Sequence, residues 1–173
     1  MQTVIITGSA KRLGRGLAIE FAKKGWSIIL HYNSSQDEAM RTAEQIRAFG
    51  VKVFPIQFDL SNYQAIEEGF EKIKAEFSFP NVLINNAGIF PPLTTLQDIT
   101  PESWDSIMKV NLNAHLYTSK FFTKYAADNS RIINIASVGG LEVWKHRIPY
   151  NVSKAGVIKL TKVLAKELAP RFS

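Results

Sequence analysis

Short apolar runs rich in β-branched residues alternate along this chain with longer stretches in which apolar side chains recur every three or four positions. The runs Val4-Ile5-Ile6, Ser27 to Tyr32, Val51 to Gln57, Val82-Leu83-Ile84 and Ile132 to Ala136 predict strands. The stretches 14 to 25, 36 to 49, 62 to 77, 101 to 127 and 149 to 169 predict helices. On the last of these, Val157, Thr161, Leu164, Ala165 and Leu168 share a face, opposite Lys159, Lys162 and Lys166. Strict alternation of strands and helices predicts an α/β fold, a doubly wound parallel sheet with helical crossovers on both faces. No repeat, low-complexity segment or linker interrupts it, so a single domain is expected over residues 1–173.

Composition narrows the chemistry. With 173 residues, 46% of them hydrophobic and 21% charged, the chain has the material for one packed core. No apolar run approaches the length that spans a bilayer, and the opening lacks the basic start and apolar stretch of a signal peptide; a cytoplasmic protein without a membrane partner is expected. There is no cysteine, and His31, His115 and His146 are the only histidines, so no metal site is expected. The net charge of +6 suits a phosphate-bearing partner, either a nucleotide or a nucleic acid. Within the basic stretch from Lys145 to Arg171, Lys159, Lys162 and Lys166 lie opposite the apolar stripe with no aromatic residue between them, so no nucleic-acid partner is expected.

The first predicted strand runs into Thr7-Gly8-Ser9-Ala10-Lys11-Arg12-Leu13-Gly14-Arg15-Gly16 and then a helix. A glycine-containing strand-to-helix turn presents backbone N–H groups and a positive helix end to a pyrophosphate, and Lys11 and Arg12 add charge of the right sign. The glycines at 8, 14 and 16 do not fit G-x-G-x-x-G, so a tight turn that simply needs flexible residues is the competing reading. Dinucleotide folds that prefer NAD carry an acid at the end of the second strand. Here that place reads His31-Tyr32-Asn33-Ser34-Ser35, with no carboxylate before Asp37. Asn33, Ser34 and Ser35, with Arg12 across the turn, could instead receive a 2′-phosphate, and NADPH is the expected cofactor.

Further motifs fall in order behind the turn. Asp59-Leu60 follows the third strand, Asn85-Asn86-Ala87-Gly88 the fourth, Asn111 lies in Lys109-Val110-Asn111 on the long helix, and Ser137 closes the fifth strand, thirteen residues before Tyr150-Asn151-Val152-Ser153-Lys154. In this set and order the chain resembles the short-chain dehydrogenase/reductase family over essentially its whole length, with a Rossmann-type sheet. The resemblance implies that Gly8, Leu13 and Gly14 belong to the glycine-rich turn, with Arg12 where the middle glycine usually stands. It implies that Asp59 and Leu60 face the adenine, and that Asn86, Ala87 and Gly88 adjoin the cofactor. Ser137, Tyr150, Lys154 and Asn111 form its catalytic set. Tyr150 and Lys154, four apart on a helix, share a face, and the ammonium can lower the phenol pKa from near 10. Tyr150 is then the proton donor to a carbonyl oxygen held by Ser137. By resemblance Lys154 also grips ribose hydroxyls, while Asn111 supports a water that relays protons to it.

A carbonyl reductase similar to the 3-oxoacyl-carrier-protein reductases is the favoured function. Pteridine reductases resemble the chain in Arg12 and in Phe90, where an aromatic ring would stack on a pterin, but they commonly carry Asp at the place of Ser137. Phe90 is the candidate substrate residue on that resemblance; a core aromatic ahead of Pro91-Pro92 is the competing reading, and the one expected to decide the effect of Phe90→Ala. Family members continue past the helix ending at Ala169-Pro170 into two more strands and a substrate lid, whereas this sequence stops at Ser173, so the domain is expected to be incomplete at its C-terminus. Cofactor binding should then survive better than turnover, a binding module without turnover is the alternative from another class, and the edge from Arg131 to Ala136 should promote a homo-oligomer.

Overall fold

The computed structural model describes residues 2–77 and 79–172; Ser173 lies outside them. Five strands, β1 (Thr3–Ile6), β2 (Ser27–Tyr32), β3 (Val53–Gln57), β4 (Val82–Asn85) and β5 (Arg131–Asn134), form one sheet in the order β3-β2-β1-β4-β5. All neighbours pair in parallel, with Ile5 level with Ile29 on one side and Leu83 on the other. Alternation along β1 explains why helices must cover both faces. Val4 and Ile6 pack with Ala18 and Ala22 of α1 (Arg12–Lys23) and with Ala39, Ala43 and Ile46 of α2 (Gln36–Arg47). Ile5, between them, points the other way, into Ile66, Phe70 and Ile73 of α3 (Tyr63–Glu76) and Phe121 and Phe122 of α5 (Ala114–Tyr125). The doubly wound α/β sheet is the expected one. Strand order reverses between β1 and β4, and a crevice opens there beyond the carboxyl ends of the strands.

Two predicted elements differ. The helix expected over 101–127 is broken: α4 (Pro101–Met108) and α5 are joined by one wide turn, Lys109–Asn113. Such single wide turns inside an α-helix are frequent at functional sites, and this one surrounds a side chain committed to a partner outside the helix. Asn111 is that side chain, completely buried, donating through Nδ2 to the Ile89 carbonyl (2.9 Å) and accepting the Ile89 N–H through Oδ1 (2.7 Å). Secondly, β5 ends at Asn134 rather than Ala136, so Ser137 does not close the strand but begins the short turn Val138–Gly140. The last helix, α6 (Ile148–Leu168), carries Tyr150 in its first turn. No described helix is long and apolar enough to cross a membrane.

Candidate active site

The crevice holds a cleft of about 500 Å³ that spans the sheet from the ends of β2 and β3 to that of β5. Gly8, Lys11, Arg12, Leu13 and Gly14 line it from the first turn, Asn33 from the end of β2, and Asp59 and Leu60 from the end of β3. Asn86, Ala87, Gly88 and Phe90 follow β4, and Tyr150 and Lys154 enter from α6. Ser34 and Ser35, next to Asn33 in the chain, are outside the lining; Asn111 and Ser137, elsewhere in the fold, are outside it too.

The floor is built by two turns stitched together. Thr7 Oγ1 accepts the N–H groups of Asn86 (2.9 Å) and Ala87 (3.0 Å), and Asn86 Nδ2 donates back to the carbonyls of Thr7 (2.9 Å) and Gly8 (3.2 Å). These bonds pin the loop after β4 against the glycine turn. Gly8 has a φ of 63°, a left-handed conformation that glycine adopts without steric cost. Arg12, at the first position of α1, also has a positive φ of 53°. A glycine would be the unstrained residue there, so the guanidinium is held at the cleft at some conformational expense.

At the far end, Lys154 is buried, 4% exposed, and donates through Nζ to the Ile135 carbonyl at 2.8 Å. Desolvation lowers its pKa below the usual lysine value. The Tyr150 ring stands edge-on to Phe90 (centroids 4.8 Å, 90°) and parallel to Trp144 (6.1 Å, 9°). Ser137 caps its turn by accepting the Gly139 N–H at 3.2 Å. Asn111, whose amide also donates to Ser153 Oγ at 3.3 Å, fixes Ile89 and hence the loop that carries Gly88 and Phe90.

Phe90 requires a correction. It is 56% exposed and lines the cleft, so it is not the core aromatic that its place before Pro91-Pro92 suggested. The Arg147 guanidinium lies 4.1 Å from the ring centroid and bonds the Pro91 carbonyl, bracing Phe90 from one side.

Three features carried no sequence signal. Trp144 supports Tyr150 from a loop of no recognisable pattern. Arg15 and Arg41 join Lys11 and Arg12 in a basic groove between α1 and α2, where Glu38 is the one acid in the lining; their proximity needs the packing of two helices. His31, read as part of a polar strand end, is buried beneath the glycine turn. Among the described residues no cluster of metal-binding side chains occurs.

Comparison with known proteins agrees with this geometry. Residues 2–172 match the short chain dehydrogenase family. The 3-oxoacyl-acyl-carrier-protein reductase FabG of Staphylococcus epidermidis is 31% identical over 172 residues, 98% of this chain and 70% of that protein. A 3-oxoacyl-acyl-carrier-protein reductase of Synechocystis sp. is also 31% identical, with 98% and 69% covered. Among solved structures, a short chain dehydrogenase from Burkholderia cenocepacia in complex with NADP superposes with a TM-score of 0.94 at 27% identity, covering 99% of this chain and 71% of that one. The promiscuous reductase LugOII, which catalyses keto-reduction at C1 during lugdunomycin biosynthesis, superposes with a TM-score of 0.92 at 27% identity over the same shares.

Proposed function

The chain belongs to the short-chain dehydrogenase family and is an oxidoreductase; from that premise we propose that it reduces a carbonyl substrate with NADPH, within a single domain over residues 1–173. The observation that carries this reading is one continuous cleft that joins a basic glycine turn, at Lys11 and Arg12, to Tyr150 and Lys154. An anionic dinucleotide fits such a donor set: cationic side chains and a strand-to-helix turn at one end, hydroxyl and ammonium groups at the other. The relatives named above as 3-oxoacyl reductases, and the NADP complex of a structural relative, support the same chemistry.

When bound along Gly8, Lys11, Arg12 and Lys154, a reduced dinucleotide would supply hydride for the carbonyl carbon. Tyr150 gives the proton to the oxygen, so that charge does not build up on an alkoxide. Lys154 stands in the same wall of the cleft one helical turn after Tyr150, its Nζ anchored on the Ile135 carbonyl at 2.8 Å, where it can hold ribose hydroxyls beside the reacting carbonyl. Ser137 accepts the Gly139 N–H and retains its own O–H for the substrate oxygen. Beside the water-supporting role that the resemblance implies for it, Asn111 holds Ile89 and the loop behind it through its side-chain amide.

Cofactor choice is tested at Arg12. The unmodified protein should bind NADPH at least about tenfold more tightly than NADH, the value of one charge-assisted phosphate contact. Arg12→Gly should erode that preference while leaving the melting temperature unchanged or slightly raised, because the left-handed φ of 53° suits glycine. Equal affinities in the unmodified protein would overturn the assignment of NADPH.

The exposure of Phe90 favours a second reading, in which the substrate is a planar ring such as a pterin. Phe90→Ala should cost little stability, within about 1 kcal/mol, as expected for a residue more than half exposed. If a ring stacks on it, KM for a dihydropterin should rise while KM for a small aliphatic ketone stays put. Steady-state assays with both substrates decide between the two readings; equal shifts in both KM values would count against the ring platform.

A further inference from the structure

We propose that His31 is a positioning residue of the dinucleotide site, an internal strut that fixes the glycine turn from beneath. The inference rests on the reading of the cleft as a dinucleotide site and goes beyond the residues assigned to it. The His31 side chain is 1% exposed. Its Nδ1 accepts the Gly8 N–H at 3.0 Å, and its Nε2 lies 3.0 Å from the Phe58 carbonyl oxygen. A carbonyl only accepts, so Nε2 carries the proton and Nδ1 presents a lone pair. The two bonds make opposite demands, which only neutral imidazole in this tautomer meets. Burial supports that state by lowering the His31 pKa to about 4, against smaller raising effects from the Phe58 carbonyl and the Asp59 charge.

The two bonds tie together three parts of the cleft wall. Phe58 immediately precedes Asp59 and Leu60, which line the cleft at the end of β3, and its ring packs on the imidazole with centroids 4.2 Å apart. Gly8 is the left-handed residue of the turn, and a Cβ there would come to 3.0 Å from the Ala87 Cα on the far loop. The main chain of His31 adds a third tie, accepting the Ser9 N–H at 2.9 Å. The Gly8 amide is therefore committed to the protein interior, and its peptide plane is set before any phosphate arrives. Pre-set donors bind more tightly than donors that must first be ordered. Lys11 and Arg12 supply charge to the cleft; His31 supplies the geometry of the turn that carries them.

The test compares His31→Phe, which keeps a ring of similar size against Phe58 but has no nitrogen, with His31→Asn, which restores an acceptor and a donor. NADPH affinity is measured by fluorescence titration, kcat and ketone KM at saturating NADPH, and stability by thermal melting. His31→Phe should weaken NADPH binding roughly tenfold or more, as loss of a buried acceptor implies, with kcat and ketone KM at saturation within a few-fold of the unmodified values. His31→Asn should recover most of that affinity. If packing alone is at stake, Asn, the smaller side chain, will be the worse variant, and the proposal fails. Should His31→Phe not fold, the Asn variant decides alone: affinity within a few-fold of the unmodified protein supports the strut, and a tenfold loss overturns it. Unmodified affinity in His31→Phe overturns this inference only, whereas absence of NADPH binding by the unmodified protein overturns the dinucleotide reading and the strut with it.

Discussion

Tyr150→Phe should lower kcat for ketone reduction by about a hundred- to ten-thousand-fold, the range over which a positioned proton donor contributes. The substitution is unusually clean here. A phenylalanine ring keeps both aromatic contacts of the residue, edge-on to Phe90 and parallel to Trp144, so the first turn of α6 keeps its packing. What disappears is one hydroxyl, needed mainly as negative charge grows on the substrate oxygen, so NADPH affinity should stay within a few-fold. Single-turnover assays with the protein saturated in NADPH separate that chemical step from binding. A variant retaining a tenth of the activity would mean that another group delivers the proton, and Lys154, within the same cleft, would be the first to examine.

The inner strands β1, β2 and β4 were legible because their apolar runs are nearly continuous, as burial on both faces requires. Ser27–Tyr32 was read to the residue, and β3 only two residues long at its start. Motifs at strand ends were legible for a related reason. In an open parallel sheet the carboxyl ends converge on the crevice, so Asp59, Asn86 and Gly88 meet there once the strands are placed. The break at Lys109–Asn113 was not readable as a break, because the Asn111 side chain at its centre bonds a partner 22 residues away, the backbone of Ile89. Phe90 misled for the opposite reason. An aromatic beside two prolines looks like core, and only the bracing by Arg147, from a loop far along the chain, shows that its ring is held at the cleft instead. His31 shows the same limit: a polar residue at a strand end is ordinary until its two nitrogens are seen to answer two backbone groups.

Gly14 and Gly16 stand two apart on α1, and the same substitution should have opposite effects at the two positions. A Cβ on Gly14 would lie 2.3 Å from the Gly8 carbonyl oxygen, 2.6 Å from Asn86 Nδ2 and 2.9 Å from Ser9 Cα. The first and last of these are backbone atoms of the glycine turn, and the second belongs to the side chain that ties the loop after β4 to it. None can yield without opening the floor of the cleft. Gly14→Ala should therefore destabilise the protein by about 1–3 kcal/mol through overpacking. The turn is displaced at the point where phosphate donors must be aligned, so NADPH affinity should fall by about a hundredfold. A Cβ on Gly16 meets nothing within 4 Å. There alanine should stabilise the helix by about 0.5–1 kcal/mol and leave affinity unchanged. Thermal melts and NADPH titrations of the two variants read both effects at once. If Gly14→Ala proves as harmless as Gly16→Ala, close approach between α1 and the turn is not what places a glycine there, and the cleft floor is softer than its hydrogen bonds imply.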